Sequence, residues 1–143
     1  MLSCEPDDIC IEGTPGTPTL IVVFYDKDAP NTAKAVSGLQ VKGVNNEVLL
    51  YDTAADSIAL PLKTGASMSS FSLKKTENEI EYEALLEVNY TTSDQFISRA
   101  CGFKTTFEIV TILDTKTNSW IENIETTTNS ISDTKQSHVK ILH

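Results

Sequence analysis

The segment Ile80-Glu81-Tyr82-Glu83-Ala84-Leu85-Leu86-Glu87-Val88-Asn89-Tyr90 decides the fold class. Ile80, Tyr82, Ala84, Leu86, Val88 and Tyr90 fall on one face of an extended chain. Glu81, Glu83, Leu85, Glu87 and Asn89 fall on the other. Alternation of this kind has the period of a half-buried strand and fits a 3.6-residue period poorly. Thr91-Thr92-Ser93-Asp94 reads as the break that ends it.

On the N-terminal side, Thr19-Leu20-Ile21-Val22-Val23-Phe24-Tyr25 is β-branched and aromatic, with apolar residues at both parities. It predicts a strand buried on both sides or lying at a sheet junction. Asp26 to Asn31 follows as a turn, with Pro30 inside it. Leu39 and Val41 alternate ahead of Gly43, Asn45-Asn46 supplies a turn, and Glu47 to Tyr51 returns, which predicts a hairpin. Ser57 to Leu62 is a short strand whose Pro61 argues for an edge or a strand end. Gly65 marks a turn, and Met68 to Lys74 puts Phe71 and Leu73 on one face.

On the C-terminal side, Gln95 to Leu113 is too long for one ordinary strand. It predicts two strands or one bent strand, with Phe103, Thr105, Phe107 and Ile109 on a common face and Gly102 supplying the bend or bulge. Asp114 to Asn118 is a polar turn, and Trp120, Glu122 and Ile124 then alternate with Ile121, Asn123 and Glu125. Thr126 to Ser137 reads as a loop, and Val139 and Ile141 as a last strand that ties the chain down. Short strands at this spacing, with no amphipathic helical pattern, predict an all-β chain. Its expected architecture is an immunoglobulin-like antiparallel β-sandwich of about seven to nine strands. Pro6, Gly13, Pro15, Gly16 and Pro18 make residues 1–18 an irregular leader, leaving 19–143 as the sandwich domain.

The chain's 143 residues suit one domain, and 40% apolar residues supply a core for it. Eleven basic against 20 acidic residues give a net charge of −9, which disfavours nucleic acid and an anionic membrane surface as partners. No run approaches the roughly 18 apolar residues of a membrane span. Met1-Leu2-Ser3-Cys4 lacks a basic and apolar leader, so Met1 reads as a native start or as what removal of a longer leader would leave.

Cys4, Cys10 and Cys101 make an odd count. Either Cys10 pairs with Cys101, leaving Cys4 for another role, or all three are reduced and Cys101 is a small core residue. The bridge would close a loop of about 90 residues, worth about 4–5 kcal/mol by chain entropy. Cys4 and Cys10 have no metal-site spacing with His138 or His143, and His143 reads as a disordered terminal residue.

Other candidate chemistry has a plainer reading in each case. Cys101 and His138 could form a thiolate–imidazolium pair, but nothing in the sequence orients it. Glu81, Glu83 and Glu87 could supply paired carboxylates, and a solvated sheet face explains them more simply. Asp26, Asp28 and Asn31 offer oxygens to calcium, or form an Asx/Pro turn. Asn89-Tyr90-Thr91 fits a glycosylation pattern that matters only in a suitable secretory pathway. Tyr25, Tyr51, Tyr82, Tyr90 and Trp120 could form a binding platform. Trp120 is the best single candidate for an exposed binding surface, with core packing as its plainer role. No catalytic group, cofactor site or metal site emerges.

The pattern Cys4-Glu5-Pro6-Asp7-Asp8-Ile9-Cys10, then Thr17 to Asp26, then Ser98-Arg99-Ala100-Cys101-Gly102-Phe103-Lys104, resembles an uncharacterised family of small Bacteroides-type lipoproteins. The resemblance implies a lipidated Cys4, with Glu5, Asp7 and Asp8 as a surface-export tag. It also implies a Cys10–Cys101 disulfide in an oxidising envelope. Leu2 and Ser3 would be the remnant of a lipobox, although Leu2 stands two residues before Cys4 rather than the usual three. The implied protein is a non-catalytic outer-membrane lipoprotein domain facing periplasm or cell surface. It would be a structural or binding module for a protein or glycan, touching the membrane only through its anchor. An envelope glycan-processing hydrolase and a subunit of a surface filament or complex are the competing expectations.

Overall fold

The computed structural model describes residues 17–46, 48–132 and 136–143. Among these residues there are ten strands and no helix, hence none long and apolar enough to cross a membrane. The strands are β1 (Leu20–Tyr25), β2 (Gln40–Gly43), β3 (Leu49–Asp52), β4 (Ser57–Leu60), β5 (Met68–Glu77), β6 (Ile80–Ser98), β7 (Gly102–Asp114), β8 (Asn123–Thr126), β9 (Ser130–Ile131) and β10 (Val139–Leu142). They form a four-stranded sheet in the order β4-β1-β10-β8 and a six-stranded sheet in the order β3-β2-β5-β6-β7-β9. The fold is a β-sandwich.

Burial follows the alternation of the strands. On β1, Leu20, Val22 and Phe24 are fully buried, while Ile21, Val23 and Tyr25 are half-buried. The apolar outer face arises because β1 lies inside its sheet, antiparallel to β4 and parallel to β10. Lys140 on β10 also lays its ammonium 4.5 Å from the centroid of the Tyr25 ring. From the other sheet, Leu73, Ala84, Leu86, Val88, Phe107 and Ile109 complete the core. Tyr51 Oη ties the sheets together at the β3/β4 edge, accepting from Ala59 N at 2.7 Å and donating to Ala59 O at 3.2 Å.

The β2–β3 hairpin forms as expected, pairing Val41 with Tyr51 across a bulge. β4 is an edge strand ending before Pro61. Several expectations are corrected. Thr91 to Asp94 does not break β6, because these β-tolerant residues pair with Thr105 to Glu108 of β7. A register shift at Asn89/Tyr90 absorbs the irregularity. The run from Gln95 to Leu113 does hold two strands: Gly102, with φ of +73°, opens β7 out of the hairpin turn beside a register shift between Phe96 and Ser98. Phe103 shares its parity with the buried Thr105, Phe107 and Ile109 but is 66% exposed, since it lies beyond the reach of the opposing sheet. Ile80 and Tyr82 are exposed for the same reason at the other end of β6, next to a two-residue turn with positive φ at Asn78 and Glu79. β9 lies within the segment read as a loop. His143 is ordered and 3% exposed, its ring edge-on to Phe24 and Trp120.

Ile80 and Leu86 share one face of β6, yet only Leu86 meets the core. Leu86→Ala is expected to lower unfolding free energy by about 2–5 kcal/mol. Ile80→Ala should change it by less than about 0.5 kcal/mol. Urea titrations of the two variants against the parent chain check this contrast.

Candidate functional site

A groove of about 630 Å³ lies at one end of the six-stranded sheet. Three separate segments build it: the β2–β3 turn with Val44, Asn45 and Asn46; the stretch after β4 with Pro61 and Lys63; and the start of β5 from Met68. Leu50 of β3 closes one side.

Local chemistry shapes these walls. Asn45 takes a φ of +68°, a conformation that asparagine tolerates better than most residues. Asn46 N donates to Gly43 O at 3.0 Å, and Asn46 Oδ1 accepts from Val48 N at 3.0 Å. Val44 N donates to Ser70 O at 3.0 Å, which fixes the turn against β5. Beneath the groove is a closed ring of hydrogen bonds. Tyr90 Oη donates to Lys63 O at 2.7 Å, Ser69 Oγ lies 2.8 Å from Tyr90 Oη, and Lys63 N donates to Ser69 Oγ at 3.0 Å. Every polar atom in this ring has a partner, so the buried Tyr90 and Ser69 hydroxyls hold the floor rigidly.

Val44, Leu50 and Met68 are each about 40% exposed here, with Val48 and Leu49 alongside. Lys63 is the one ionisable residue among the described lining residues. The groove therefore offers apolar contact, amide and hydroxyl hydrogen bonds and one positive charge. This chemistry suits binding.

The residues singled out from sequence are not brought together. Cys4 and Cys10 lie outside the described residues. Cys101 is half-buried in the β6–β7 turn, where its backbone N–H donates to Ser98 Oγ at 3.0 Å. Trp120 is not an exposed binding surface; it is 8% exposed and belongs to the core. Its Nε1 donates to Leu73 O at 2.9 Å and its ring packs at 6.0 Å from Phe24, so both its polar and apolar parts are satisfied inside. His138 is fully buried ahead of β10, with Nδ1 accepting from Ile21 N at 2.9 Å. It thus belongs to the four-stranded sheet, whereas Cys101 belongs to the β6–β7 turn of the other.

Glu83, Glu87 and Asp26 have structural partners. Glu83 accepts from Ser72 Oγ at 2.7 Å and faces Lys116 Nζ at 3.5 Å. The Ser72 bond, aided by Lys116, holds its pKa below the ordinary carboxylate value. Asp26 Oδ1 accepts from Asp28 N at 2.9 Å, closing the Asx turn. Among the described residues, no group of three His, Cys, Asp or Glu could hold a metal ion. Asn89 is half-buried within β6 and donates to Glu87 Oε2 at 3.1 Å.

Residues 38–143 match DUF6452, a family of unknown function. The chain belongs to this family. No curated protein and no solved structure matches it. The DUF6452 match takes in β2 to β10, and with them the groove and the Ser98 to Lys104 motif. The Cys4 to Cys10 motif and β1 lie N-terminal to it. Membership agrees with the expectation of an uncharacterised family.

Sequence reading missed the groove, since its apolar rim comes from segments that each read as an ordinary turn or strand end. The exposed Val44, Val48, Leu49 and Leu50 around Asn45-Asn46 were the available signal.

His143 supplies a pH-dependent feature. Burial lowers its pKa below the ordinary 6.5, against the raising effect of its 2.9 Å contact with Lys34 O; Lys75 and Lys34 lower it further and Asp26 raises it. Between the folded and unfolded pKa values the unfolded chain binds more protons, so stability rises with pH there. Stability is expected to fall as pH drops below 6.5. His143→Phe should remove this part of the loss, flattening the melting temperature between about pH 7 and pH 5. Calorimetric scans of both chains across that window check it.

Proposed function

We propose that the chain is a non-catalytic binding module of a cell-envelope lipoprotein, anchored at the outer membrane through acylated Cys4 and engaging a protein or glycan at the groove. The groove is the observation that carries the binding role: it combines exposed apolar side chains with a hydrogen-bonded floor and a single cation. The two-layer sandwich suits such a module, since an immunoglobulin-like domain presents its binding loops at one end. Cys10 pairs with Cys101 in this reading. Support comes from Cys101 being a partnered, half-buried residue in the β6–β7 turn, and from the Cys4 to Cys10 motif that accompanies it in the resemblance. Anchoring needs no apolar helix, because acyl chains supply the membrane affinity.

Two measurements test the reading. The complete precursor, expressed in a bacterial host with labelled palmitate, is expected to take up label at Cys4, and Cys4→Ala should abolish it. Label surviving that substitution would refute the anchor. Thiol titration of the oxidised 143-residue chain under denaturing, non-reducing conditions should find one free thiol; three would refute the Cys10–Cys101 pair.

A further inference from the structure

Past Asn89, where β5 stops pairing with β6, strands β6 and β7 run on as a two-stranded arm to Ser98 and Gly102. Phe96 and Phe103 pair directly across this arm, with ring centroids 5.4 Å apart. Phe103 has the parity of the core residues Phe107 and Ile109, so both rings face the layer that the four-stranded sheet fills further down. That sheet stops short of them, and they are 62% and 66% exposed. Two aromatic rings left this open to water are costly.

The chain itself runs toward the gap. β1 belongs to the four-stranded sheet, and Pro18 just ahead of it is buried. Before that, Thr17 Oγ1 accepts from Thr105 N at 3.0 Å, two residues along β7 from Phe103. The odd-numbered residues of β7 turn their backbone groups toward its outer edge. Ile109 N donates to Asn129 O at 2.8 Å, and Phe107 pairs with Ile131 of β9. Thr17 takes the next edge position at Thr105. Phe103, one step further, has no strand on that side among the described residues.

Charge and length fit the same occupant. Residues 1–16 contain Glu5, Asp7, Asp8 and Glu12 and no Lys or Arg. Residues 95–104 contain Arg99 and Lys104 and no acid. Ile9 and Ile11 lie among those acids and flank Cys10. Cys10 precedes Thr17 by seven residues, a reach of up to about 24 Å. Cys101 lies four residues from Thr105, about 13 Å along a strand. The leader can therefore return from Thr17 to the tip of the arm with slack to spare.

We infer that the inner face of the arm is the docking site of the chain's own leader: Ile9 and Ile11 cover Phe96 and Phe103, and the leader's acids meet Arg99 and Lys104. The Cys10–Cys101 disulfide proposed above staples this contact, and the inference rests on that reading for the staple alone. A second copy suits the face less well, since two arms laid together would bring like charges together. Docking also shortens the tether. Cys4 precedes Thr17 by 13 residues but Cys10 by only six, so the free reach falls from about 45 Å to about 20 Å. An acylated Cys4 would then hold the arm end of the sandwich close to the bilayer.

The test uses the full 143-residue chain with a tryptophan reporter, Phe103→Trp at the arm or Ile80→Trp at the other end of β6, the parent's emission being subtracted. Ile80 is 53% exposed, so without a docked leader Phe103→Trp is the more accessible of the two. With the leader docked, acrylamide is expected to quench Phe103→Trp at least about twofold less than Ile80→Trp. Adding Ile9→Asp/Ile11→Asp or Arg99→Glu/Lys104→Glu to the Phe103→Trp chain should raise its quenching toward the Ile80→Trp level. Adding Glu5→Lys/Asp7→Lys/Asp8→Lys/Glu12→Lys to the charge-reversed chain should restore the shielding. Quenching of Phe103→Trp equal to or above that of Ile80→Trp overturns the proposal, as does shielding that none of the leader substitutions changes. Shielding lost on dilution identifies a second copy as the occupant and overturns it too. Three free thiols in the titration above would remove the staple, and the quenching values would still decide the docking.

Discussion

The parallel pairing of β1 with β10 is the constraint on which the rest of the sandwich depends. Val22 pairs with Val139 and Phe24 with Ile141, joining segments 117 residues apart. These two strands are the inner pair of the four-stranded sheet, with β4 and β8 attached at their flanks. His138 reinforces the seam from its end, bonding the backbone of Ile21 through both its ring and its own main chain. Without this pairing, nothing would cover Leu73, Leu86 and Val88 on the six-stranded sheet. Closing so long a loop is entropically unfavourable, and it is offset only when the whole apolar face is buried at once. The buried His143 and Trp120 belong to the same closure, since both pack against Phe24 of β1.

Covering one sheet with a shorter one leaves the longer strands with uncovered ends. β6 spans 19 residues and β7 13, whereas strands of the opposing sheet span four to six. Residues past the limits of the smaller sheet become solvent-facing whatever their hydrophobicity. Phe96 and Phe103 at one end and Ile80 and Tyr82 at the other share this origin. The groove also arises from the mismatch, because the β2–β3 turn and the start of β5 lie at the end where β6 and β7 run on as a pair past Asn89, close to where Thr17 joins the fold.

Much of the fold was legible because alternation reports which residues share a face. The Ala84 to Tyr90 pattern, the Leu39 to Tyr51 hairpin and the final strand around Ile141 all appear where local pattern placed them. The site was far less legible. Trp120 follows a polar turn and reads as a candidate for exposure, yet it folds inward because Leu73 O offers its indole N–H a partner. Thr91 to Asp94 looked like a break because polar side chains say nothing about whether a neighbouring strand continues. No local pattern marked Lys63, Leu50 and Met68 as neighbours.

The sequence by itself determined an acidic all-β chain, the parity of its strands and the absence of clustered positive charge over most of its length. Those properties depend on side-chain type and period-two geometry, which act within a few residues. Only the tertiary structure decided where the core ends. Burial depends on what the opposite sheet covers, and that coverage follows from the parallel seam between two distant strands. Phe103 and Phe107 have the same parity and side chain on one strand, yet one is exposed and the other is core.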